Sequence, residues 1–187
     1  MGGSSSKAVV VPPGSLGWMG VTTSNDDLFD LLLIKSPLVL IAWGLLALVP
    51  RWKFTMPIVQ SIGLLFALLY VLIFIDGFYN PVDMSKLGNG KFKTPFDCFY
   101  SLEGVETLFK LKSACFGGWV HYIVFDLWTG LWITRDSLER QIPQLLLVPC
   151  LFFTMMLGPC GLFSYTVLSY GYLEAKSALT GSAKKGK

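Results

Sequence analysis

Residues 31–49, 55–75, 114–133 and 144–165 form four apolar runs. Each approaches the roughly 20 residues that a helix rising about 1.5 Å per residue needs to cross a hydrocarbon core about 30 Å thick. They predict an all-α polytopic membrane protein, a four-transmembrane-helix bundle with a long loop between helices 2 and 3. The first run closes on Pro50-Arg51-Trp52-Lys53, a short turn with an interfacial tryptophan between two cations. The third contains three tryptophans together with His121 and Asp126, and the fourth contains Pro149 and Pro159. With 53% hydrophobic against 14% charged residues and a mean hydropathy of +0.58, the chain is more apolar than a soluble domain of 187 residues tolerates.

Three stretches follow from this pattern. A flexible, Gly-, Ser- and Pro-rich segment is expected over residues 1–25, the four-helix domain over 26–174, and a basic flexible tail over 175–187. Met1-Gly2-Gly3-Ser4-Ser5-Ser6 fits the N-myristoylation pattern with Gly2 as acceptor, and Lys184-Lys185-Gly186-Lys187 resembles a dilysine retrieval signal. Four crossings would put both termini and the long loop on one lysine-rich face, expected to be cytoplasmic or stromal. Within the loop, Leu102, Val105, Leu108 and Phe109 stand at helical spacing, which predicts a short amphipathic helix resting on the interface or an ordered cap over the bundle. Cys98, Cys115, Cys150 and Cys160 lack CxxC spacing, so neither a disulfide framework nor a metal site is expected. The net charge of +3 suits an anionic membrane surface and carries no nucleic-acid footprint.

Ionisable groups at membrane depth are costly and so mark candidate functional residues. Counted from Ala114, His121 lies roughly 10 Å into the bilayer and Asp126 roughly 18 Å, near its middle. Five residues turn them about 140° apart, so they do not face one another. Asp126 shares a stripe with Trp119, Tyr122 and Thr129, and His121 shares one with Gly118, Phe125 and Trp128. In the fourth run, Pro159 lacks an amide hydrogen, which strips the Met155 carbonyl of its helical donor, and Gly158 and Gly161 weaken the helix further. A fourth span running antiparallel brings Met155 to the level of His121. Lys35 and Asp76 suggest either a polar cavity opening toward the terminal face or a snorkelling pair at the interface.

GWVHYIVFDLW, AWGLLALVPRWKFT and LGPCGLFSY, carrying Trp43, Pro50, Arg51, Trp52, Lys53, Thr55, His121, Asp126, Gly158, Pro159, Gly161 and Leu162, resemble the integral membrane family named after abscisic-acid-deficiency protein four, the neoxanthin-synthase-like proteins. The resemblance covers roughly residues 27–172 and departs at both ends and in the long loop. It implies four transmembrane helices and, in plants, a plastid membrane role, thylakoid or envelope, in making neoxanthin from violaxanthin. An endomembrane is the alternative address. The step implied is an isomerisation in which an epoxide opens and a nearby carbon loses a proton to leave an allene, so no cofactor is expected. His121 and Asp126 are the expected catalytic groups, with Trp119, Tyr122, Trp128, Met155, Gly158 and Pro159 lining a slot for a carotenoid or other polyene. The alternative is a non-catalytic subunit or pigment- and lipid-associated scaffold of a larger membrane complex.

Overall fold

The computed structural model describes residues 16, 19–20, 23–80 and 90–185, with side chains to residue 178. Among these residues the chain is helical and has no strand. Helix α1 (Asn25–Phe29) starts at Ser24, whose hydroxyl accepts from the Asp27 amide, and runs through a π-helical turn (Asp30–Ile34). Ser36 and Pro37 break the run before α2 (Leu38–Leu48). There follow α3 (Thr55–Tyr79), a 3-10 turn (Pro95–Tyr100), α4 (Leu102–Phe109), α5 (Lys112–Glu139), α6 (Gln144–Leu157) and α7 (Pro159–Lys185). The expected flexible segment over 1–25 and the Gly2 acceptor lie largely outside the described residues, as do the side chains of Lys184 and Lys185. The stretch expected as a flexible tail from residue 175 continues α7 as far as Lys185.

Among the described residues, Asn25–Leu48 and Thr55–Tyr79 are the two helices long and apolar enough to cross a membrane. The other two expected spans take different forms. Helix α5 has 28 residues, about 42 Å, but it includes Lys112, His121, Asp126, Arg135, Asp136 and Glu139. The fourth apolar run is not one helix. Gly158 adopts φ 45° and ψ −91°, a conformation open to glycine, so α6 ends after 14 residues and α7 starts afresh at Pro159.

The chain divides into two compact units. One comprises residues 1–35 and 71–117. There Phe29 meets the ring of Phe116 edge-on at 6.3 Å, Lys112 pairs with Asp26, and the long loop builds a small kernel of Phe92, Cys98 and Leu108. Lys35 pairs with Asp30 at 4.0 Å and Asp76 accepts from Asn80 at 2.8 Å, so the expected Lys35–Asp76 pair is replaced by two local ones.

The second unit comprises residues 36–70 and 118–187. Buried Ala42, Leu46, Val59, Phe66, Val120, Leu127, Leu131, Leu147 and Leu151 make its core. Gly130 lets Trp43 approach α5, because a Cβ there would stand 2.8 Å from the indole. Gln144 Nε2 donates to the Ala47 carbonyl at 2.6 Å, satisfying a C-terminal acceptor of α2, and the Thr55 hydroxyl donates to the Val49 carbonyl, closing the turn at 49–54.

The partners of α5 fix the direction of the last two helices. Tyr122 bonds Met155 on α6, whose other end, Gln144, follows directly on the end of α5, so α6 runs antiparallel to α5. Going on along α5, Asp126 meets Gly158, Asp136 bonds Tyr165 and Gln141 bonds Tyr172, so α7 runs parallel to α5 and back along α6. Helices α6 and α7 form a hairpin whose tip is Gly158. The fourth apolar run is therefore two antiparallel helices and not one continuous helix, and α7 returns to the end of the unit that carries residues 49–54 and 140–143.

Candidate functional site

Along the second unit's part of α5, Val120, Ile123, Leu127, Leu131 and Thr134 are buried at intervals of three and four residues and form the packed face. His121, Phe125, Trp128 and Trp132, at the same spacing, form the exposed face. Asp126 flanks the packed face at 8% exposure and points toward the hairpin tip: a Cβ placed on Gly158 would lie 2.7 Å from its Oδ1. Glycine at 158 thus serves both the backbone turn and the close approach of the carboxyl. Its other oxygen, Oδ2, is buried with no hydrogen-bond partner among the described residues.

Tyr122 stands one turn before Asp126, and its hydroxyl donates to the Met155 carbonyl at 2.9 Å. That carbonyl is the acceptor orphaned by Pro159, as the sequence indicates, but its donor is the tyrosine and not His121. A phenol has one proton to donate. The same hydroxyl also lies within hydrogen-bonding reach of the Asp126 carboxyl, so one phenol proton faces two acceptors, the Met155 carbonyl and Asp126. The tip is tightened by Gly161, whose Cβ would stand 2.1 Å from the hydroxyl oxygen of buried Thr154.

Of the residues expected to share a site, Asp126, Tyr122, Met155 and Gly158 come together, with Pro159 starting the next helix. Trp119 borders them, its ring 5.8 Å from that of Tyr122, but is half-exposed. His121 does not join them. It lies on the exposed face between the rings of Tyr70, at 5.3 Å, and Phe125, at 4.5 Å. Trp128 is likewise on that face, its indole nitrogen 3.5 Å from where a Gly63 Cβ would stand. As their five-residue interval predicts, His121 and Asp126 lie on different sides of α5, and the residues gathered at the hairpin tip are those around Asp126.

A second polar cluster escaped the sequence. Fully buried Tyr165 donates to Asp136 Oδ2 at 2.6 Å, and Arg140 pairs with the same oxygen at 2.6 Å. Farther on, Lys176 Nζ donates to Gln141 Oε1 at 3.0 Å. These contacts clamp α7 to the end of α5. Their signal, an i,i+4 Asp–Arg pair, is common on helices, and only the reversal of direction at Gly158 brings Tyr165 to it.

What the arrangement can do chemically is limited and specific. A buried carboxyl with one oxygen lacking a partner among the described residues can give or take one proton, with a tyrosine and two helix ends fixing its surroundings. The family model described as ABA DEFICIENT 4-like matches residues 31–165, a span that includes α2, α3, α5, α6 and the hairpin tip. No curated protein and no solved structure matches the chain.

Proposed function

The chain belongs to the ABA DEFICIENT 4-like family, and from that premise we propose that it is a membrane-embedded isomerase that opens the epoxide of a violaxanthin-like xanthophyll to leave an allene. All four apolar segments lie within the membrane in this account, the last as the α6–α7 hairpin, and the membrane is that of a plastid. The observation that carries the proposal is Asp126, buried against the glycine tip with an oxygen left unpaired. A buried polar atom without a partner costs on the order of 1–3 kcal/mol, which a protein retains where a ligand supplies the missing bond.

The reaction needs a proton delivered to the epoxide oxygen and a proton removed from a nearby carbon. One carboxyl suffices for both. Its O–H protonates the oxygen as the C–O bond breaks, its other oxygen takes the carbon-bound proton, and that C–H electron pair becomes the second double bond of the allene. The carboxylic acid is regenerated, and atoms and electrons balance without an oxidant or reductant. Tyr122 acts as a positioning residue, holding the hairpin tip beside the carboxyl through Met155. The purified chain in detergent, supplied with violaxanthin alone, is expected to yield an allenic product of identical mass. A correctly folded sample that returns the substrate unchanged overturns the proposal.

A second reading is favoured by the exposed ring stripe of His121, Phe125, Trp128 and Trp132. Such a stripe suits a non-catalytic subunit that holds pigment or lipid against its outer surface within a larger membrane complex. Native co-purification with that complex, together with no conversion by the isolated chain, identifies it.

A further inference from the structure

We infer that the segment Thr94–Phe109 is an interfacial anchor, a surface that binds the headgroup–acyl boundary of a neutral bilayer through exposed aromatic and aliphatic side chains. The segment is built rather than loose. Thr94 and Asp97 form a reciprocal capping box at the start of the 3-10 turn, Ser101 caps α4 through the Gly104 amide at 3.0 Å, and both elements close on Phe92, Cys98 and Leu108. Gly104 is required there, since a Cβ would stand 2.4 Å from the Cys98 carbonyl oxygen.

Having made this kernel, the segment leaves its largest apolar groups outside it. Phe96, Phe99, Tyr100 and Leu102 are between 63% and 89% exposed, and Phe109 is 48% exposed. On α4 the residues sort into three stripes. Gly104, Thr107 and Leu108 face the kernel, Glu103, Glu106 and Lys110 form a polar stripe, and Leu102, Val105 and Phe109 form an outward apolar stripe beside it. Adjacent polar and apolar stripes are the pattern of a helix lying in an interface.

Two further observations choose the occupant. The position is tethered, because Lys110 and Leu111 alone separate α4 from α5, and the Leu111 carbonyl already accepts from Cys115, so the segment is held at the mouth of a long helix. The surface is also electrically quiet. Lys91 pairs with Glu103, Lys110 with Glu106 at 3.1 Å, and Lys112 with Asp26. With these three lysines matched by carboxylates, the patch offers its apolar groups, in the aromatic chemistry that settles at headgroup depth, and little charge for an acidic partner.

The test uses the full chain reconstituted in phosphatidylcholine vesicles, with exposed Cys115 and Cys160 replaced by serine and a nitroxide attached at Phe99→Cys, Leu102→Cys or, as control, Glu106→Cys. Cys98 and Cys150 are buried, and burial, followed by the nearby Asp97 charge, raises the Cys98 thiol above its usual range, which keeps it unreactive. The labels at 99 and 102 are expected to collide several-fold more with dissolved oxygen than with a water-soluble nickel chelate, and the label at 106 the reverse. Nickel-dominated collisions at 99 and 102 overturn the inference. So does dipolar broadening between labels on two chains, which assigns the patch to a second copy instead.

Discussion

Four residues separate Asp126 from His121, enough to turn them about 140° apart round α5, and burial divides them accordingly. Asp126 enters the hairpin tip while His121 stacks among rings on the exposed face. The angular separation is legible from the sequence, but which side is packed is not, because Phe and Trp occupy both faces of this helix. The orphaned Met155 carbonyl is legible too, since Pro159 lacks the proton it requires. Its donor is not, because a helical repeat states which residues share a face and not what stands across from it. Tyr122→Phe is expected to destabilise the chain by about 0.5–1.5 kcal/mol in detergent, the net worth of the hydrogen bond to that part-buried acceptor. Unchanged unfolding would show that the Tyr122–Met155 bond does not hold the tip.

At the scale of elements, α3 starts where its apolar run does, α2 covers only the later part of the first run because Ser36-Pro37 interrupt it, and the fourth run is split in two. Hydropathy continues across Gly158-Pro159 without a dip, so a window of apolar residues reads as one span. The residue pair itself carries the missed signal: glycine suits a helix end with positive φ, and proline suits the first position of the next helix. The α6–α7 contact depends on a small residue at 161, so Gly161→Val, which drives a side chain into the backbone and hydroxyl of Thr154, is expected to cost about 1–3 kcal/mol or to abolish folding. Wild-type stability in that variant would contradict the hairpin. In the loop, the Thr94 amide foremost, against a smaller opposing effect of burial, and then the Lys93 amide hold the Asp97 carboxyl below its ordinary 3.8. A depressed folded value means that the capping contribution is whole above the unfolded value and is lost as pH falls through the lowered one. Protection of the amides over residues 94–100, taken relative to their intrinsic exchange rates, is therefore expected to fall only below about pH 4 in the wild type and to be low at every pH in Asp97→Asn. A pH-independent wild type would show that the capping box does not order the turn.

For the molecule as a whole, an all-helical, apolar chain of this family is legible from composition and motif alone, whereas the direction of its last helix is not. A chain that turns back at Gly158 brings residue 177 to the end of its unit that carries Lys53. Cysteines introduced at Lys53 and Ser177, with Cys115 and Cys160 replaced, are expected to react with a membrane-impermeant maleimide from the same side of sealed vesicles. Labelling from opposite sides would restore a fourth full crossing and separate Asp126 from the tip. The central claim is that the carboxyl at that tip moves the protons. Its most direct test is the pigment profile of a violaxanthin-producing host expressing the wild type, Asp126→Asn or His121→Ala at equal membrane levels. The account predicts an allenic product from the wild type, a loss of about 100-fold or more in Asp126→Asn, the scale of a lost general acid–base group, and less than about 10-fold in His121→Ala. Full conversion by Asp126→Asn, or its loss in His121→Ala alone, would contradict it.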